Sequence, residues 1–310
     1  MTASWSGAWP TVSVIVPTRD RPELLRAAIG SIRSQDYPGD IEILVTYDQS
    51  EPDESLNVDD PHRTVRVITN TRTQGLAGNR NTGILASTGD FVAFCDDDDE
   101  WLPGKLTAQI TAMLGAPEAE MCTTGVRVAY DGSTTDRVLA RDRVTLADLL
   151  RSRLQELHPS SFLMRRSALV DGIGLVDEAV PGSYGEDYEF LLRAARRTPI
   201  VNVPEVGVVA LWHRQSYFTA RWTTIATALE WLLERYPEFR SDPRGLARIT
   251  GQIAFARAAS GSRRSAMGWT GRTIRHSPRE PRAYLALAVA SRMVKADTVL
   301  GRLHRSGRGI

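Results

Sequence analysis

The run Asp96, Asp97, Asp98, Asp99, Glu100 follows the apolar stretch Phe91, Val92, Ala93, Phe94, Cys95 and precedes Trp101. Five adjacent acids repel one another unless solvent, hydrogen bonds or a cation offsets the repulsion. The apolar flanks put part of the run at the edge of a buried sheet rather than in open solvent. Carboxylate oxygens there suit a hard divalent cation, Mg2+ or Mn2+, shared with phosphate oxygens, and such an ion neutralises a departing diphosphate. A second constellation is Gly185, Glu186, Asp187, ahead of a helical pattern from Tyr188 to Arg196. A carboxylate at that place either caps the helix or serves as general base toward an attacking hydroxyl. His213 follows a strand-like stretch and precedes Arg214; its imidazole suits a borderline divalent ion or a phosphate, and equally a structural or acceptor-side role.

The elements that must hold these groups alternate at short spacing. Thr11 to Val16 is a β-branched apolar run ended by Pro17, and Pro22 to Ser34 carries a one-sided pattern of Leu24, Leu25, Ala28, Ile29 and Ile32. Strands are expected over Ile41 to Thr46, Val65 to Ile68 and Phe91 to Cys95, with helices over Gly75 to Ala86 and Lys105 to Leu114. Strand–helix alternation of this kind predicts an α/β domain with a mostly parallel central sheet flanked by helices. Ligands gather beyond the carboxyl ends of such strands. Pro17 to Asp20, Tyr47 to Ser50 and Asp96 to Glu100 all occupy such ends and should converge on one cleft. Further on, strands are expected at Met121 to Tyr130, Phe162 to Met164 and Val206 to Trp212, and a helix at Thr145 to Arg153. From about Thr219 the chain reads as helical, with Ile225 to Tyr236, Arg248 to Ala259 and Pro281 to Arg292 as the clearest helices. The expected organisation is an N-terminal tail over 1–10, a catalytic domain over 11–218 divided near residue 115, and a helical basic extension over 219–310.

A chain of 310 residues with 42% hydrophobic residues can bury a substantial core. Thirty-eight basic residues against 37 acidic ones give no global charge that would attract nucleic acid. The balance is uneven, because from Gly261 onward 11 Arg or Lys face only Glu280 and Asp297. That segment is either a solvated helical face or a patch for a membrane or an anionic acceptor. Cys95 and Cys122 sit in apolar or mixed surroundings where reduced thiols are expected. The opening MTASWSGAWP has no basic leader or long apolar run, and no stretch reaches 18 apolar residues. The expectation is a cytoplasmic enzyme with peripheral membrane contact through 261–310 left open.

VSVIVPTRDRPELLRAAIGSIRSQ, ILVTYDQS, GLAGNRNTGILASTGDFVAFCDDDDEW, SSFLMRRSALVDGIGLVDE and GEDYEFLLRAA, in this order, resemble the inverting family 2 nucleotide-sugar glycosyltransferases, which have the Rossmann-like GT-A fold. The resemblance covers roughly Thr11 to His213. It implies that Pro17, Thr18, Arg19 and Asp20 form the first nucleotide-binding loop. It also implies that Asp48 lies near the base, Arg80 near the base or phosphates, and Asp96 and Asp97 against the nucleotide sugar. Asp98 becomes the metal-facing acid, Asp187 the base with Glu186 beside it, and His213 a position that approaches the metal or diphosphate. His158, Pro159, Ser160 and Ser161 occur where such enzymes bring acceptor-side groups toward the cleft, and Tyr184 and Trp212 offer aromatic surface for a sugar or simple packing. Related chains often carry two acids where this one has Tyr47, Asp48, which weakens the usual recognition of uracil. The Gln-x-x-Arg-Trp pattern of processive synthases is absent, so the resemblance implies transfer of a single sugar to a glycan, lipid-linked or small-molecule acceptor. A nucleotidyltransferase is a competing reading, but Pro17 to Asp20 has no P-loop spacing. A carbohydrate-binding module would leave Asp98 and Asp187 without a chemical task.

Overall fold

The structure is a computed structural model and describes residues 7–212 and 221–305. Two compact units divide it: 1–146, 154–178 and 186–214 form the first, and 147–153, 179–185 and 215–310 the second.

In the first unit, β1 (Val12–Thr18), α1 (Pro22–Arg33), β2 (Ile41–Tyr47), β3 (Arg63–Thr69), α2 (Leu76–Ala86) and β4 (Phe91–Phe94) follow the expected alternation. Proline at the first turn of α1 suits its start. Leu25, Ala28, Ile29 and Ile32, spaced at one face of a 3.6-residue repeat, turn that helix onto the sheet. Val12, Val14 and Val16 alternate along β1 and join Ile41, Ile43 and Val45 of β2 in the same core. The opposite sheet face meets α2, whose Gly83 permits close approach: a Cβ there would lie 2.5 Å from Ile15 Cγ2.

Next come β5 (Asp99–Trp101), α3 (Lys105–Leu114), β6 (Met121–Tyr130), β7 (Ser133–Arg137) and β8 (Arg143–Val144). Then α4 (Leu146–Arg151), most of it in the second unit, precedes β9 (Leu163–Arg165), α5 (Arg166–Asp171), α6 (Glu186–Arg197) and β10 (Ile200–Leu211). Strand order is β3-β2-β1-β4-β9-β6-β10-β5, with β7 beside β6 and β8 beside β10. β3, β2, β1 and β4 are parallel, with α1 crossing from β1 to β2, α2 from β3 to β4, and a loop with one 3-10 turn from β2 to β3. Beyond β4 the sheet is mixed, which limits the expected parallel character to that first half and to the β6–β10 pair. The Asp131–Gly132 turn, both residues at positive φ, folds β6 back as a hairpin with β7, and β9 runs antiparallel between β4 and β6. This reversal brings the chain ahead of β9 alongside the carboxyl end of β4.

The second unit contains α7 (Trp222–Arg235), α8 (Pro243–Ala259), α9 (Arg263–His276), α10 (Pro281–Ala290) and α11 (Ala296–Arg305). Small side chains let these helices approach: Ala254 and Ala258 of α8, Ala266 of α9 and Ala286 of α10 share one cluster with Phe255 and Val299. Among the described residues no helix is long and apolar enough to cross a membrane.

Candidate active site

Parallel register fixes the first three edges of the site. Thr18 ends β1 opposite Tyr47 of β2, and Ile15 pairs with Phe94 of β4, so the acid run after β4 emerges beside the end of β1. Thr18 Oγ1 donates to Asp97 Oδ2 at 2.8 Å, and the Arg19 amide reaches the same oxygen at 3.4 Å. Arg21 Nη1 spans Asp97 at 3.2 Å and Asp98 at 2.6 Å. Burial pushes the Asp97 carboxyl up to about 6, against the pull of Thr18 and Arg21. Pro17 is buried within β1, whereas Arg19 and Asp20 are exposed and Asp20 sits at positive φ.

Asp48 holds the loop that leads into α2. It accepts from Asn70 Nδ2 and from the Gly75 amide, both at 2.9 Å, and from Gln49 Nε2 at 3.2 Å. Tyr47 is buried in the sheet core, so the departure from the paired-acid pattern puts an aromatic ring in the core at that place.

Arg80 is the pivot. Its side chain, on α2, is among the largest fully buried ones, at 1% exposure. One amino group meets Asp96 Oδ1 at 2.6 Å and the other meets Glu186 Oε1 at 3.4 Å. The guanidinium also lies over the Phe94 ring, 5.4 Å from its centroid. Burial opposes its charge, but Asp96, Glu186 and Asp187 more than offset that, and its pKa is raised. Acids from the end of β4 and the start of α6 are therefore gathered around one cation. Both Glu186 and Asp187 belong to the first turn of α6, which starts ahead of the expected Tyr188, and Gly185 at φ +78 gives the chain its entry. Asp187 is half-buried.

The antiparallel β9 supplies the remaining wall. Ser160, in the 3-10 turn Pro159–Ser161, donates to Asp99 Oδ2 and accepts from the Asp96 amide at 3.0 Å. Asp99 Oδ1 accepts from the Leu211 amide at 3.3 Å, a consequence of β5 pairing with β10. His158 Nδ1 lies 3.3 Å from Asp99 Oδ2. Burial raises the Asp99 pKa, with His158 opposing it. Asp96, Asp99 and His158 each offer a ligand atom within 4.8 Å of the others. Two carboxylates and an imidazole at this spacing are compatible with a divalent ion.

The geometry thus draws Thr18, Arg80, Asp96, Asp97, Asp98, Glu186 and Asp187 toward one end of the sheet and adds His158, expected on the acceptor side, to the acid cluster. Trp212 is 38% exposed at the end of β10, with the Arg137 guanidinium 4.4 Å from its ring centroid. Tyr184 falls in the second unit and is half-buried; His213 lies outside the described residues. Sequence reasoning passed over Arg21, gave Asp99 no role of its own among its like neighbours, and expected Ser160 on the acceptor side, where the structure bonds it to Asp99 and Asp96. These partners arise only through the pairing of β1 with β4 and the reversal at β9.

Residues 13–172, more than half of the chain, match the profile described as glycosyl transferase family 2. A Campylobacter jejuni protein named GalNAc(5)-diNAcBac-PP-undecaprenol beta-1,3-glucosyltransferase is 44% identical over 103 residues, 32% of this chain and 33% of that one. The Escherichia coli protein WfgD, named UDP-Glc:alpha-D-GlcNAc-diphosphoundecaprenol beta-1,3-glucosyltransferase, is 30% identical over 142 residues, 46% of this chain and 55% of that one. The chain therefore spans between a third and just over half the length of these two relatives. Among solved structures, Staphylococcus aureus TarS 1–349 in complex with UDP-GlcNAc superposes with a TM-score of 0.64 at 17% identity, covering 96% of this chain and 92% of that one. That likeness shows the fold, a Rossmann-like GT-A sheet with flanking helices and a helical C-terminal extension. On these grounds the chain belongs to glycosyl transferase family 2.

Proposed function

We propose that the chain transfers a single sugar from a nucleotide-diphosphate sugar to an acceptor hydroxyl with inversion at the anomeric carbon. The observation that carries this reading is the Arg80 junction, which holds the donor-side Asp96 and the acceptor-side Glu186 on one buried guanidinium, with Asp187 in electrostatic reach. Asp187 takes the proton from the acceptor oxygen as that oxygen forms its bond to the anomeric carbon and the bond to the diphosphate oxygen breaks. Arg80 orients Asp96 and Glu186 and restrains the first turn of α6 that carries Asp187. Thr18 and Arg21 fix Asp97 and Asp98 at the donor end. A divalent ion, Mn2+ or Mg2+, at the acid cluster would neutralise the departing diphosphate. Asp96, Asp99 and His158 fit one by donor chemistry and spacing, with Asp98 and His213 as the further ligands that the family resemblance suggests.

The names of the two relatives concern glucosyl transfer to glycans on undecaprenol diphosphate. By that likeness the acceptor class proposed for this chain is a lipid-linked glycan, and the enzyme is a cytoplasmic one with peripheral membrane contact through 261–310. The test is a panel of nucleotide sugars assayed for nucleoside diphosphate release with Mn2+, Mg2+ or chelator. Metal-dependent release that accelerates with acceptor is expected. Diphosphate release from a nucleoside triphosphate would instead favour nucleotidyl transfer, and failure of every nucleotide sugar to bind or turn over would overturn the proposal.

A further inference from the structure

Ala266 of α9, Val289 and Ala290 of α10, Val294 of the following turn and Ala296 at the start of α11 pack in one apolar cluster. The start of α9 and the turn over residues 291–295 therefore lie at the same end of the helical unit. Two large apolar side chains project from that end: Met267 is 55% exposed and Met293 80%. Arg263, Arg264, Arg292 and Lys295 are exposed around them, and none has a carboxylate at ion-pair distance among the described residues. Asp297, in the first turn of α11, is the one exposed acid of this end among the described residues. The cations continue along α9. Arg264 and Arg275 are eleven residues apart, about three turns, and so share the solvent face opposite the inward-facing Ala266, Thr270 and Thr273.

Two other arginines of this unit are matched by carboxylates. Arg257 bonds Glu230 at 2.7 Å, and Arg282 bonds Glu280 at 2.7 Å. Exposed cations interleaved with exposed methionines are the surface chemistry of an interfacial helix bundle, which sinks apolar tips among acyl chains while cations meet headgroup phosphates. A soluble polyanion would be gripped by the cations and would leave Met267 and Met293 in water.

The geometry points to this end of the helical unit, Arg263, Arg264, Met267, Arg292, Met293 and Lys295, as a docking surface for an anionic phospholipid bilayer. It deepens the proposed transfer to a lipid-linked acceptor by naming the surface through which the enzyme reaches that acceptor. It rests on that reading for its purpose only, because the binding needs no catalysis.

The test is co-sedimentation of the full chain with phosphatidylcholine vesicles, with and without phosphatidylglycerol. The wild-type chain is expected to pellet with the anionic vesicles and stay in the supernatant with the neutral ones. Arg263→Gln with Arg264→Gln should weaken partitioning roughly 25-fold, taking about fivefold for each cation at the surface. Met267→Ser with Met293→Ser should weaken it about tenfold. These side chains are exposed, so both pairs should fold normally and release nucleoside diphosphate from a sugar donor in solution at the wild-type rate. Asp187→Asn should pellet like the wild type, which separates failure of docking from failure of the transferase reading. Absence of pelleting, equal pelleting with neutral vesicles, or an arginine pair that pellets like the wild type would overturn the inference. So would loss in the arginine pair with no change in the methionine pair, the signature of a soluble polyanion.

Discussion

At the acid run, Arg21 reaches Asp97 and Asp98, and Arg80 reaches Asp96 and Glu186, whereas on α9 Arg263, Arg264 and Arg275 stand in solvent with no carboxylate beside them among the described residues. Both regions are dense in charge. In the first, charge is withdrawn from water and must be matched within the protein; in the second, water matches it and the protein spends no packing on it. The difference teaches where a substitution will be felt. A buried charge is tied to its neighbours, so removing one member leaves the others unmatched, while an exposed charge can be removed almost alone.

The largest effect should come from the acceptor side of the matched cluster. Asp187→Asn keeps shape and removes the base, so acceptor glycosylation should fall about 10²–10⁴-fold while donor affinity, read by titration calorimetry, stays within a few-fold. Near-normal turnover would break the division of labour between Asp187 and the acid run. Next in size is Arg80→Met. It leaves Asp96 and Glu186 facing one another without their cation, so the unfolding free energy in urea should drop by about 3–5 kcal/mol. A drop under about 1 kcal/mol would show that solvent reaches these acids after all and that the contrast with α9 is overdrawn.

How much of this was legible in the sequence follows the same division. Strands β1, β2 and β4 and helices α1 and α3 announce themselves because apolar periodicity and proline placement are local signals. The acid run was visible as composition. Which acid does what was not, since that depends on non-local pairing. Asp99 meets Ser160 and His158 only because β9, expected as a strand at Phe162 to Met164, inserts antiparallel beside β4, and its partner and direction leave no local signal. Apolar periodicity gives Arg80 no special place, and only the family resemblance singled it out; its pairing joins Asp96, 16 residues on, to Glu186, 106 residues on, which no local signal carries. Helix α9 was passed over because Gly268 and Gly271 interrupt it and its inward residues, Ala266, Thr270 and Thr273, are small or polar. The grouping of 147–153 and 179–185 with the C-terminal helices leaves no local trace at all.

Lys105 is the cation that fits neither region, and it sharpens the contrast. It is 2% exposed, its ammonium lies 3.7 Å from the Trp101 ring centroid, and its hydrogen bond goes to Gln109 Oε1 at 2.7 Å, with no carboxylate partner among the described residues. Burial pushes its pKa down to about 7. The folded chain then holds fewer protons than the unfolded chain between pH 7 and the unfolded lysine value near 10.4, so stability must rise with pH across that window. Measured against Lys105→Met, which cancels the titration of every other group, the wild-type unfolding free energy should gain on the order of 3 kcal/mol from pH 7 to pH 10. Parallel pH profiles for the two chains would mean that the Trp101 face and Gln109 keep the ammonium charged.

On α9 the expected effects shrink to the scale of local propensity. A Cβ at Gly271 would meet nothing within 4 Å, and Gly271 sits inside a helix without positive φ, so Gly271→Ala should stabilise the chain by about 1 kcal/mol through the unfolded state and helix propensity. Arg264→Gln should be smaller still. The exposed side chain has no ion pair to lose among the described residues, and glutamine retains nearly the same helix propensity, so the change should stay within about 0.5 kcal/mol. Urea unfolding of Arg264→Gln beside Arg80→Met then sets the two regions on one scale. A loss at Arg264 approaching that at Arg80 would mean that the α9 cations are matched inside the protein, and the surface would no longer be free to meet an anionic partner.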